Sequence, residues 1–237
     1  MFKGIGKIIV DFIDSLFPTL CIGCDKPLGE NEQVLCTNCR IQLPETGQHR
    51  SPHDERLMNK FAGKVPIQFI ASYVYFTKGS IVQKIIHNIK YKGHKEAAKV
   101  MAGWYAYQLK HECDLTDQID VIIGVPLHVS RLKQRGYNQA EWIAEGLGEV
   151  LNVPVRTDVL VRNRFEISQT YKNRLERWDN VKSVFTVYNQ EAIAGKNVVL
   201  VDDVLTTGAT LEACAIELLK SDCKSVSLIT LATASKF

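Results

Sequence analysis

From about residue 67 onward, short apolar runs alternate with stretches whose apolar residues recur every three or four positions. Gln68 to Phe76 reads as a strand, and Ser80 to Tyr91 and Lys95 to His111 read as helices joined by a turn at Gly93. A second apolar strand, Ile119 to Val125, stops at Pro126. The alternation continues through a helix over Asn138 to Leu151, strands over Lys182 to Val187 and Val198 to Val204, a helix over Leu211 to Lys220 and a strand over Ser225 to Leu231. Strands alternating with helices predict an α/β fold around a mainly parallel sheet.

The first third of the chain follows a different pattern. Ile5, Ile8, Ile9, Phe12, Ile13, Leu16 and Phe17 form a helical apolar stripe that Pro18 closes, so residues 1–20 are expected to hold an amphipathic helix. Asp11 and Asp14 interrupt the stripe and no small-residue cleavage site follows, which argues against a secretory signal. Docking on the protein's own body is the expectation, ahead of docking on a membrane surface or partner. Residues 45–66 are polar and turn-rich, with His49, Arg50, Ser51, Pro52, His53 and Asp54 in succession, and read as a linker to a body covering 67–237.

Composition narrows the class without deciding it. The chain has 237 residues, 46% hydrophobic and 23% charged, with a net charge of +3. That is a globular balance, too weakly basic to indicate nucleic acid by itself. No apolar stretch is long enough for an integral membrane span, and a cytoplasmic protein is expected. Positive charge is concentrated locally: Lys78, Lys84, Lys90, Lys92 and Lys95 occur without an intervening acid, and Arg131, Lys133 and Arg135 lie close together.

Cys21, Cys24, Cys36 and Cys39 form C-x2-C-x11-C-x2-C, the spacing of two knuckles converging on one ion, and define a module over 21–44. Four soft ligands that leave no open position predict structural zinc; the rival reading, a redox pair, needs only one such motif beside a βαβ unit. A zinc knuckle can also dock nucleic acid, but Lys26 and Arg40 are the nearby cations and Phe17 the nearby aromatic, so a scaffold is the expectation. Cys113, Cys214 and Cys223 lack partner spacing and are expected in the core.

The densest chemistry lies in VVLVDDVLTTGAT, residues 198–210. A β-branched run, Val198 to Val201, suits a parallel strand buried on both faces. Asp202 and Asp203 fall at its carboxyl end, where open α/β sheets bind ligands. Thr206, Thr207, Gly208, Ala209 and Thr210 are small enough for backbone N–H groups to surround an anion, and a helix starts directly afterwards. The order strand, turn, helix N-terminus suits a sugar phosphate. An acidic turn that merely caps a helix would require neither two carboxylates nor the small-residue run.

Two further polar segments flank this stretch. After the second strand, Pro126, His128, Arg131, Arg135, Gly136, Tyr137, Asn138 and Gln139 combine cations, a glycine and amides suited to a pyrophosphate. Later, Arg162, Arg164, Gln169, Arg174, Arg177 and Asn180 precede another strand, a pattern equally suited to a charged surface helix.

The 198–210 stretch resembles the fingerprint of type I phosphoribosyltransferases. Together with the four cysteines and the two polar segments, the whole chain is similar to the competence-protein F (ComF) family, which joins a zinc module to such a domain. The matching residues are Pro126, Leu127, His128, Arg131, Arg135, Gly136, Asn138, Gln139 and Ala140, then Gln169, Arg174, Asn180 and Phe185, then the acidic and threonine-rich loop; Tyr137 departs from the commoner phenylalanine. The resemblance implies a type I phosphoribosyltransferase fold preceded by a zinc-ribbon-like module. It also implies phosphoribosyl pyrophosphate (PRPP) as ligand, with Asp202 and Asp203 on the ribose hydroxyls and Thr206, Thr207, Gly208, Ala209 and Thr210 around the 5-phosphate. His128, Arg131, Arg135, Lys90 and Lys92 are the expected pyrophosphate side, and magnesium accompanies the ligand. The implied activity is glycosyl transfer with release of pyrophosphate in the setting of DNA uptake. A non-catalytic PRPP-responsive protein, or one that handles single-stranded DNA with partner proteins of the competence machinery, is the alternative.

Overall fold

The computed structural model describes residues 18–51, 53–163 and 184–234. The N-terminal apolar stripe through Phe17 and the segment carrying Arg164, Gln169, Arg174, Arg177 and Asn180 lie outside them.

Four parallel strands form the central sheet in the order β1, β6, β5, β2: β1 (Ile70–Phe76), β2 (Val121–Gly124), β5 (Asn197–Leu205) and β6 (Ser225–Ala234). Two short strands stand apart as an antiparallel ribbon, β3 (Leu160–Arg162) with β4 (Phe185–Val187). The strand expected over Lys182 to Val187 therefore contributes its described part to this ribbon, not to the parallel sheet. Both edges of the sheet are extended. Val155 makes a parallel bridge to Ile122 of β2, and Glu45 makes an antiparallel bridge to Val74 of β1.

The longer helices are α3 (Ile81–Tyr91), α4 (Lys95–Glu112), α6 (Gln139–Leu151) and α7 (Ala209–Lys220). Three short ones also occur among the described residues: α1 (Thr37–Ile41), α2 (Glu55–Met58) and α5 (Val129–Arg135). Capping explains two starts: Ser80 accepts from the amide of Gln83 at the head of α3, and Asn138 accepts from Ala140 at the head of α6. Alternate residues of each strand feed opposite faces of the sheet. Val199 and Val201 pack in one cluster with α3, α4, α6 and the cysteine module. Val198 and Leu200 pack in the other with α7 and the stretch around Leu57, Phe61, Val65 and Ile67.

Within 45–66, expected to be a linker, several described residues are packed against the body. Thr46 N–H donates to the Tyr73 carbonyl at 2.9 Å, and His49, Leu57 and Phe61 are buried. Apolar side chains four apart, Leu57 and Phe61, carry this packing within a mostly polar stretch. Cys113, Cys214 and Cys223 are buried.

Candidate functional site

The site grows from the unequal lengths of neighbouring strands. Gly124, the last residue of β2, pairs with Val201, whereas β6 continues beside β5 with Asp202 opposite Thr230 and Leu205 opposite Thr233. Asp202 and Asp203 thus lie within β5 as seen from β6, but beyond the end of β2. That geometry leaves the backbone of both residues beyond the pairing with β2. Asp202 accepts from the Asp203 amide at 2.8 Å, and Asp203 pairs with the Lys90 ammonium at 2.9 Å. Burial, reinforced by the charge of Asp203, raises the Asp202 carboxyl to about 7 against the opposing pull of the Asp203 amide, Lys90 and Arg135. Lys90 and Arg135 therefore both lie near enough to act on it.

Past β5, Thr206 and Thr207 are exposed, and Gly208 sits at φ +84°, a left-handed conformation open to glycine. A Cβ there would come within 2.8 Å of the Phe61 ring. Gly208 is the N-cap of α7 and supplies no side-chain acceptor, while its carbonyl takes the Glu212 amide at 2.8 Å. The positive end of a twelve-residue helix therefore opens directly onto the turn. Lys60 reaches the Thr206 carbonyl at 3.5 Å, and Lys64 pairs with Glu212 at 3.2 Å. Sequence reasoning placed Lys60 and Phe61 in a linker; the signal for their role was the apolar spacing of Leu57 and Phe61.

The residues expected on the pyrophosphate side separate. Lys90, in the last turn of α3, and Arg135, in the last turn of α5, join the aspartates. His128 caps α5, its Nδ1 accepting from the Ser130 amide at 3.3 Å, and Arg131 is exposed one turn further on. Lys92 is not brought to the aspartates. It follows the end of α3 and lines a cavity of about 510 Å³ with Thr19, Cys21, Asp25 and Asn88, where its charge acts on Asp25. Asn138 and Gln139, counted as amide donors, already serve the fold: Asn138 Nδ2 donates to the Val125 carbonyl and Gln139 Nε2 to the Tyr137 carbonyl.

Along α3 lies the cysteine module. The sulfurs of Cys21, Cys24, Cys36 and Cys39 all lie within 4.8 Å of one another, and Cys24 and Cys36 are 3.7 Å apart. Thiolates on one tetrahedral ion stand about 3.8 Å apart, so this group can hold a metal. Burial raises the Cys21 thiol, but the amides of Cys36, Cys24 and Gly23 outweigh it and bring the group down to about 7. Burial and the neighbouring cysteines push Cys39 upward. The module is anchored to α3 by the buried Asn88, whose Nδ2 donates to the Ile22 carbonyl at 2.8 Å, and by Lys84 on Asp25 at 2.6 Å. One helix thus touches the cysteine knuckle on one side and delivers Lys90 to Asp203 at its end.

Residues 95–236 match the phosphoribosyl transferase domain, and the parallel sheet is the type I fold of that class. Relatives extend the likeness to the cysteine module. The chain is 31% identical over 240 residues to competence protein ComFC of Bacillus subtilis, covering 96% of each. It is 25% identical over 222 residues to competence protein F of Haemophilus influenzae, covering 91% of this chain and 90% of the relative. It is also 25% identical over 233 residues to DNA utilization protein YhgH of Escherichia coli K12, covering 89% of this chain and 95% of the relative. The chain belongs to the ComF family. Among the described residues, no helix is long and apolar enough to cross a membrane.

Proposed function

We propose that the chain binds PRPP at the carboxyl edge of its sheet and transfers the phosphoribosyl group to an acceptor with release of pyrophosphate. The observation that carries this reading is the meeting of two carboxylates, two cations and the N-terminus of a helix begun by glycine at one strand end. Asp202 and Asp203 accept the ribose hydroxyls, the amides of Thr206 to Thr210 take the 5-phosphate, and Lys90 and Arg135 face the pyrophosphate. His128 and Arg131, on the short helix that ends in Arg135, border that side.

Transfer breaks the bond from the anomeric carbon to a pyrophosphate oxygen, the electron pair leaves with pyrophosphate, and the acceptor closes on a sugar of oxocarbenium character. The chain supplies no nucleophile; its residues orient the ribose and oppose leaving-group charge. Oxygen-rich partners at Asp202 and Asp203 suit magnesium, which neutralises charge on the pyrophosphate when bound with the ligand. We assign one structural zinc ion to Cys21, Cys24, Cys36 and Cys39, a closed all-thiolate set. Cysteines held outside disulfides suit a reducing cytoplasm. The names of the relatives support a setting in DNA uptake, where single-stranded DNA and competence proteins are the partners.

The test is calorimetric titration of zinc-loaded protein with PRPP, with and without magnesium, beside an Asp202→Asn/Asp203→Asn variant. Magnesium-dependent binding lost in the variant is expected, followed by pyrophosphate release in a screen of acceptors. Affinity unchanged in the variant would overturn the assignment.

A further inference from the structure

We propose that Gln139 and Tyr91 are positioning residues that hold the Arg135 guanidinium in place for the pyrophosphate end of the ligand; this rests on the reading that the site takes PRPP. Arg135 closes α5, a helix that buries none of its residues, where a long side chain ordinarily samples many rotamers. Here it is gripped on two sides. Nη1 donates to Gln139 Oε1 at 2.6 Å, Nη2 donates to the Tyr91 hydroxyl at 3.4 Å, and the guanidinium carbon lies 5.1 Å from the centre of the Tyr91 ring.

Gln139 is itself fixed. Its side chain is buried, and Nε2 donates to the Tyr137 carbonyl at 3.3 Å, so Oε1 is the atom turned toward Arg135. Tyr137 in turn donates its hydroxyl to the Ile89 carbonyl, in the same turn of α3 that carries Lys90 and Tyr91. The two helix ends that bring cations to the aspartates are thereby tied together. Arg135 Nε is shielded and has no hydrogen-bond partner among the described residues, which leaves a donor uncommitted.

The chemistry of the grip matters as much as its geometry. A neutral amide accepts from guanidinium without cancelling its charge, so Arg135 still acts on Asp202 and remains able to oppose an anion. A carboxylate at 139 would hold the same side chain and neutralise it. Tyr91, 53% exposed, contributes little to the core, so its loss tests the grip without threatening the fold.

Binding of PRPP and of ribose 5-phosphate, which lacks the pyrophosphate, should be titrated in magnesium buffer for wild type, Arg135→Ala, Gln139→Ala, Gln139→Glu and Tyr91→Leu, each with a thermal melt. We expect Gln139→Ala and Tyr91→Leu to weaken PRPP about tenfold, the loss of one pre-ordered long side chain, while ribose 5-phosphate stays within about twofold. Gln139→Glu should weaken PRPP at least as much. Equal losses for both ligands would mark a structural role and overturn the inference, as would PRPP affinity retained in Tyr91→Leu. Should Gln139→Ala fail to fold, Tyr91→Leu and Gln139→Glu carry the test. Wild type that binds neither ligand defeats the PRPP reading and the inference with it; wild type that binds PRPP, with loss confined to Arg135→Ala, defeats the inference alone.

Discussion

Replacing Asp202 with asparagine should stabilise the unliganded protein and abolish its ligand binding at once. Asp202 is held among protein atoms beside a second carboxylate, and its carboxyl is raised from 3.8 to about 7. In the unfolded chain the group ionises above about pH 4, whereas in the folded protein it keeps its proton to about pH 7. Over that window the folded state binds more protons, so stability falls as pH rises from about 4 to 7 and levels off above 7. At about 1.4 kcal/mol per unit, the full cost at pH 8 is about 4 kcal/mol, and at pH 5 it is about 1 to 2 kcal/mol. Asparagine keeps the oxygen that accepts the Asp203 amide and carries no charge to desolvate.

Urea denaturation in magnesium-free buffer should therefore show Asp202→Asn more stable than wild type by about 2 to 4 kcal/mol at pH 8, with the gain shrinking by about 2 to 3 kcal/mol at pH 5. A chain of this size would gain about 5 to 12 °C in melting temperature at pH 8. A variant no more stable than wild type at pH 8, or a gain independent of pH, would refute the argument. The same variant should lose PRPP affinity, because the neutral amide accepts ribose hydroxyls less strongly than a carboxylate. Stability surrendered at a site where a charge must wait for a ligand is a common trade in functional proteins.

Other perturbations follow from specific contacts. Lys90→Met removes the partner of a largely shielded Asp203 and should cost about 1 to 3 kcal/mol of stability in urea titrations, with PRPP affinity falling more than ribose 5-phosphate affinity. Gly208→Ala forces a Cβ into a left-handed residue and to within 2.8 Å of Phe61, so about 1 to 3 kcal/mol should be lost; Phe61→Leu in the same chain should leave part of that loss, since the strain at φ +84° persists. Metal analysis should give one zinc per chain, and Cys39→Ser or chelation should lower the melting temperature and PRPP affinity together, because the knuckle is tied through Asn88 to the helix that delivers Lys90; a metal-free protein with an unchanged melt would contradict this.

What the sequence made legible and what it hid have the same physical origin. Short-range signals survive translation into structure: the β-branched run of β5, buried on both faces, and the small-residue turn before α7 were readable because strand, turn and helix are contiguous. Groups whose role depends on helical phase or on a distant partner were not. Lys90 and Lys92 are two residues apart in one basic stretch, yet Lys90 lies within the last turn of α3 and reaches Asp203, whereas Lys92 lies past its end and acts on Asp25. Two residues turn a helix by about 200°, so a row of lysines cannot place its charges on one face. Helix α5 escaped notice because none of its seven residues is buried, leaving no apolar period to detect. Residues 135–139, read as a cation, a glycine and amides suited to a pyrophosphate, proved to be a division of labour: Gly136 ends one helix at φ +78°, Asn138 starts the next, Tyr137 ties them to α3, and Gln139 holds Arg135. A donor-rich motif therefore overstates the number of donors available to a ligand, since some of its groups are already committed to holding Arg135 in place.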